Sequence, residues 1–138
     1  MKKRSYKVTF GLKEGYEKNA RLHTAGAAGR IIAQWMSARL AARQPIVNGL
    51  LQEGTLFYPA PGSDPAKPVL TVSPSAIFSG ELSSPEDLRR KNKEIRQTLE
   101  SLAEALRQGL KQESVYIIYR DLNWCVGSKP RRNPKAKK

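Results

Sequence analysis

Between residues 85 and 111 the chain repeats apolar side chains at helical intervals. Leu88, Ile95, Leu99, Leu102, Leu106 and Leu110 fall on one stripe, with charged residues around the rest of the turn. No other stretch constrains the fold so tightly, because an amphipathic helix gains most of its stability from laying its apolar face on another element. Ser84-Pro85-Glu86-Asp87 opens the helix. It offers an N-cap hydroxyl, a proline in the first turn, and two carboxylates facing the positive end of the dipole.

The segments around this helix alternate instead. Tyr6, Val8, Phe10 and Leu12 are interleaved with Lys7, Thr9 and Gly11, the period-two signature of a strand with one buried and one wet face. Val115, Ile117 and Tyr119 alternate in the same way with Tyr116, Ile118 and Arg120. Thr24 is placed to cap a second helix running to about Arg43, with Ala28, Ile31, Ile32, Trp35, Met36 and Ala42 on its apolar side. Pro45 then stops it, since a residue before proline avoids helical geometry. Extended pieces at 55–58, 69–73 and 76–80 are separated by Pro59-Ala60-Pro61-Gly62 and by Pro74. They predict a broad hairpin, with Pro74 at an edge, bulge or bend because it lacks a donor. Asp121-Leu122-Asn123 predicts a turn into a short extra strand at 124–126.

The order strand, helix, strand, strand, helix, strand predicts an α+β, ferredoxin-like split βαβ sandwich, with two helices on one face of an antiparallel sheet. At 138 residues there is room for one core. We expect a single α+β domain over 1–127 and a basic, disordered tail over 128–138, where nothing larger than Ala136 is available to bury. Cys125 is alone, so no internal disulfide forms, and with His23 as the one histidine there is no zinc ligand set. No run approaches the roughly 18 apolar residues of a membrane helix, and Met1-Lys2-Lys3-Arg4 leads into an alternating segment rather than an apolar one. The expected location is cytoplasmic, with no membrane partner and no cofactor.

Charge is concentrated at the ends. Residues 1–30 hold eight cations and two anions, and residues 114–138 seven and one, so each end carries +6 of the net +13. Residues 81–113 balance at seven of each sign, which reads as an ordinary solvated helix. Arg89, Lys93 and Arg96 align on one flank of it, but Glu86, Glu94, Glu100 and Glu104 supply i to i+4 partners. In a split βαβ sheet the first and last strands are antiparallel neighbours, so both basic ends should leave at one corner. That predicts a non-enzymatic nucleic-acid binder, RNA or DNA, gripping phosphates through Lys2, Lys3, Arg4, Lys7, Lys13, Lys18, Arg21, Lys129, Arg131, Arg132, Lys135, Lys137 and Lys138. Tyr116, Tyr119 and Trp124 are expected to pack in the core rather than stack on bases.

Two other readings stay open. The loop from Gly11 to Thr24 carries Tyr16, Lys18, Arg21 and His23, residue types that suit a metal-independent endoribonuclease with His23 as base and Tyr16 and Lys18 beside it. An accessory subunit or interaction module of a larger protein or ribonucleoprotein complex, docking through its tails and an edge strand, is the third. Monomer and homodimer are both compatible with the sequence.

Overall fold

A computed structural model describes residues 4–15, 20–60, 64 and 66–127. The chain runs β1 (Ser5–Gly11), α1 (Ala25–Ala41), β2 (Leu50–Ala60), β3 (Val69–Glu81), α2 (Pro85–Leu88), α3 (Asn92–Leu110), β4 (Ser114–Tyr119) and β5 (Leu122–Gly127). The five strands form one antiparallel sheet in the order β2-β3-β1-β4-β5. This is the ferredoxin-like split βαβ arrangement that the order of elements predicts, extended by β5.

The alternating faces are where the residue pattern puts them. Tyr6, Val8 and Phe10 of β1, Phe78 of β3, and Val115, Ile117 and Tyr119 of β4 are buried against Ile32 and Trp35 of α1 and against Ile95, Leu99, Leu102, Leu106 and Leu110 of α3. Each fully buried leucine or isoleucine contributes about 1.5–3 kcal/mol by leaving water. The helices cross closely because residue 109 is glycine: a Cβ there would come 2.5 Å from Ile31 Cδ1. Both expected caps form, Thr24 Oγ1 accepting from Ala27 N at 3.0 Å and Ser84 Oγ from Asp87 N at 3.0 Å. Among the described residues the other face of the sheet carries no helix.

Three features depart from the sequence-based expectation. First, the helix opened by Ser84 does not run through to Lys111. Arg4 donates to the carbonyls of Asp87 (3.1 Å) and Arg90 (2.5 Å), and Lys91 turns extended before α3 begins. The break takes Arg89 off the helical flank that Lys93 and Arg96 share.

Second, β2 and β3 are long and unbroken, and Pro74 sits inside β3 opposite Thr55. Its carbonyl accepts from Leu12 N at 3.1 Å, so its donor-free nitrogen also faces the side where β1 has just ended. No bond to β2 is lost there.

Third, the turn falls at Arg120-Asp121, with Arg120 at φ 59, and β5 runs the full length of β4. This reverses the chain once more. Ser5 lies beside Arg120, whose N–H donates to its carbonyl, whereas Gly127 pairs with Ser114 at the other end of β4. Six strand residues span about 20 Å. Arg4 and Gly127, the described residues next to the two basic termini, therefore lie at opposite ends of the sheet, and the cationic residues 2–3 and 129–138 lie outside the described residues. No helix among the described residues is long and apolar enough to cross a membrane.

Candidate functional site

The site arises because neighbouring strands end at different heights. β1 stops at Gly11, opposite Ser75, but β2 and β3 continue for six more pairs, from Thr55–Pro74 to Ala60–Val69. The arm so formed extends past the end of β1, and Leu56 and Ser73 on it share the sheet face of Tyr116. A cleft of about 500 Å³ lies in the step, within the usual range for a small-molecule site.

Its walls follow from register. On the arm, Leu56 and Tyr58 of β2 and Ser73 of β3 point to one side, Leu56 being paired with Ser73. Opposite them stand Gln112 and Glu113 of the α3–β4 connection, with Ser114 and Tyr116 of β4. Tyr116 is 58% exposed, its alternation having turned it away from the core that holds Val115 and Ile117. Gly11, Lys13 and Gly15 close the third side. Gln112 locks this junction, its amide donating to the carbonyls of Lys13 and Leu110, each at 3.0 Å. A Cβ on Gly11 would come 2.8 Å from Gln112 Oε1, so glycine leaves space for that crossing.

The cleft therefore offers two phenol rings and a leucine for an apolar, planar group. It also offers Lys13, Glu113 and hydroxyls at Ser73 and Ser114 for a charged, polar one. The groups whose ionisation the fold moves most are elsewhere. Burial raises the phenols of Tyr6 and Tyr119. At the far end of the sheet, hydrogen bonding to Arg90 holds the Glu94 carboxyl below its ordinary value, while Glu94 raises Arg90. Among the described residues no cluster of three His, Cys, Asp or Glu is disposed to hold a metal ion.

The residues singled out from sequence are scattered. Lys13 lines the cleft. Lys7 is exposed on the open face, and Arg21 is exposed, its carbonyl accepting from Glu14 N. Arg4 is tied to the helix break described above. His23 Nε2 lies 2.6 Å from Glu14 Oε2, and its backbone N–H donates to Leu12. Tyr16, Lys18, Lys2, Lys3, Lys129, Arg131, Arg132, Lys135, Lys137 and Lys138 lie outside the described residues. Of the rings expected in the core, Tyr119 is buried and Trp124 half-buried, but Tyr116 faces the cleft. Sequence reasoning passed over Leu56, Tyr58, Ser73, Gln112, Glu113 and Ser114. The one trace of them was alternation, which put Tyr116 on a different face from Tyr119.

No family model matches the chain, and no curated protein matches its sequence. Solved structures do match in shape. A phage SAM (S-adenosylmethionine) lyase in complex with S-methyl-5'-thioadenosine superposes with a TM-score of 0.65 over 94% of this chain and 93% of that one, at 15% identity. A phage SAM lyase in its apo state gives 0.61 over 94% and 92%, also at 15%. The likeness shows the fold, end to end in both proteins.

It also corrects the functional expectation. The expectation of a non-enzymatic phosphate-backbone binder rested on charge pooled at one corner, whereas the endoribonuclease reading rested on the Gly11 to Thr24 loop with His23 and the accessory-subunit reading on the tails and an edge strand. The proteins that share this architecture are SAM lyases, enzymes rather than nucleic-acid binders, and Arg4 and Gly127 lie at opposite ends of the sheet. Charge alone misled because it reports affinity for polyanions without saying which surface is built as a site.

Proposed function

We propose that this protein is a lyase acting on S-adenosylmethionine, with the cleft between the β2–β3 arm and the start of β4 as its active site. The observation that carries the reading is the cleft itself. It matches the two-part chemistry of the substrate and lies in a fold shared over nearly the whole chain with an enzyme of that activity. Tyr58, Tyr116 and Leu56 offer faces for adenine. Lys13 is suited to the substrate carboxylate, and Glu113, with the hydroxyls of Ser73 and Ser114, to its ammonium.

A lyase that releases S-methyl-5'-thioadenosine breaks the bond between sulfur and the γ carbon of the amino-acid chain without water. The substrate supplies its own nucleophile. Its carboxylate oxygen attacks the γ carbon from behind, the carbon–sulfur pair returns to sulfur, and a five-membered amino lactone leaves with a neutral thioether. No proton moves in this step, so the chain has to supply orientation and a poorly solvating wall. Holding carboxylate and carbon in line is the larger effect, since intramolecular closures reach effective molarities of about 10⁵–10⁸ M. The reacting charges, sulfonium and carboxylate, cancel in the transition state, so the apolar arm wall disfavours the charged ground state relative to it.

Incubation with S-adenosylmethionine and chromatography of the products tests the proposal. The expected result is S-methyl-5'-thioadenosine with the amino lactone. In heavy-oxygen water the freshly quenched lactone should carry no label, whereas a hydrolase would place label in homoserine. Absence of the thioether at any enzyme concentration rejects the reading.

A further inference from the structure

Lys13 reaches the cleft on a narrow neck. Beyond β1 the chain doubles back so that residues 12–14 run antiparallel to 21–23, with a single bridge, Lys13 opposite Leu22. Two backbone hydrogen bonds fasten it, His23 N to Leu12 O at 2.7 Å and Glu14 N to Arg21 O at 2.9 Å. A third tie is made by side chains. His23 Nε2 meets Glu14 Oε2 at 2.6 Å, and the two side chains are only 11% and 21% exposed. Glu14 and His23 flank the bridge, one on each limb, next to Lys13 and Leu22 respectively. Neither of them lines the cleft, whereas Lys13 and Gly15 do.

We propose that the Glu14–His23 pair is the positioning device for Lys13, fixing the limb that presents this cation to the carboxylate of a zwitterionic substrate; the inference rests on the lyase reading above. Gln112 holds the Lys13 carbonyl from the α3–β4 side. Between the limbs themselves, two backbone hydrogen bonds leave a short ladder free to fray, and a frayed limb must be ordered again at each binding event. A close, half-buried, charge-assisted bond across the limbs removes that cost beforehand. The histidine is thus a positioning residue, not a catalytic one. Its effect should fall on ligands that use Lys13 and spare those that do not.

The product supplies the control, because S-methyl-5'-thioadenosine has lost the carboxylate. In His23→Ala we expect KM for S-adenosylmethionine to rise about tenfold, the scale of one charge-assisted hydrogen bond. The kcat should stay within about threefold of the unmutated enzyme, and the calorimetric Kd for S-methyl-5'-thioadenosine within about twofold. His23→Gln, whose amide can still donate to Glu14, should recover most of the loss. Lys13→Met should raise KM similarly, and His23→Ala added to it should raise KM little further, since both act on one contact. Three results overturn the inference while leaving the lyase reading intact: an unchanged KM in His23→Ala, a parallel loss of affinity for the product, or a fall in kcat at constant KM. If the unmutated protein releases no S-methyl-5'-thioadenosine, both readings fall together.

Discussion

The two ends of the sheet use similar residues to opposite effect. At one end Arg4, Asp87, Arg90, Glu94 and Thr98 close on one another. Arg90 bonds both oxygens of Glu94 at 2.7 Å, Asp87 Oδ1 at 3.2 Å and the Ile46 carbonyl at 2.9 Å, and Thr98 donates to Glu94 at 2.7 Å. At the other end Lys13, Tyr58, Glu113 and Tyr116 are spread around a cleft that no strand fills. One set of charges holds the fold and the other borders a space. A perturbed ionisation marks the first set here, so shifted groups in this protein point to architecture rather than to chemistry.

Substitution should separate the ends cleanly, and the Arg90 end should give the larger effect. Arg90→Met leaves the Ile46 carbonyl without this donor and Glu94 with Thr98 but without its bonded cation, so we expect about 3 kcal/mol of lost stability. Urea unfolding with an unchanged m-value would measure it. The KM of the folded variant for S-adenosylmethionine should be unaltered, because the cleft is at the far end of the sheet. A loss of turnover without loss of stability would break the comparison.

At the cleft the balance reverses. The Tyr116 ring is mostly in solvent, so Tyr116→Ala should change stability by less than about 0.5 kcal/mol. Losing a stacking face costs on the order of 1–3 kcal/mol per base. We therefore expect KM for S-adenosylmethionine and Kd for S-methyl-5'-thioadenosine to rise together, by roughly tenfold or more. Both ligands carry adenine, so this pattern differs from the one expected for His23→Ala. A Tyr116→Ala protein with normal KM would move the adenine subsite to another wall.

What was legible in the sequence was whatever neighbouring residues decide. The caps at Thr24 and Ser84, the leucine stripe of α3 and the two faces of β4 follow from side chains within a turn or a pleat of one another. The break between α2 and α3 was not legible, because Arg4, 83 residues before Asp87, takes the carbonyls that a continuous helix would have used. The direction of the C-terminus turned on whether 122–127 pairs along all of β4, which reversed the inference drawn from charge. The cleft depends on β1 ending six pairs before the arm does, a difference of register that no local pattern encodes. His23 was conspicuous as the lone histidine, but its contact is with a carboxylate nine residues away across a doubled-back limb.

Acid should reveal the same asymmetry with the smallest amplitude. Glu94 is held below its ordinary value of 4.5 chiefly by its hydrogen bonds to Arg90, with Thr98 adding to the effect. A carboxyl whose folded pKa is lowered contributes its full stability above the unfolded pKa and loses it as pH falls through the folded one. The Arg90 end should therefore be indifferent to pH between about 7 and 5.5 and weaken below about 4.5. The Glu94 side chain is 34% exposed, so solvent screening keeps the contribution to no more than about 1 kcal/mol. Glu94→Gln should lower stability at neutral pH and flatten its acid dependence in urea titrations at stepped pH. An equally steep acid limb in Glu94→Gln would mean that another carboxylate carries the loss, and the ion-paired end would then no longer be where acid first acts.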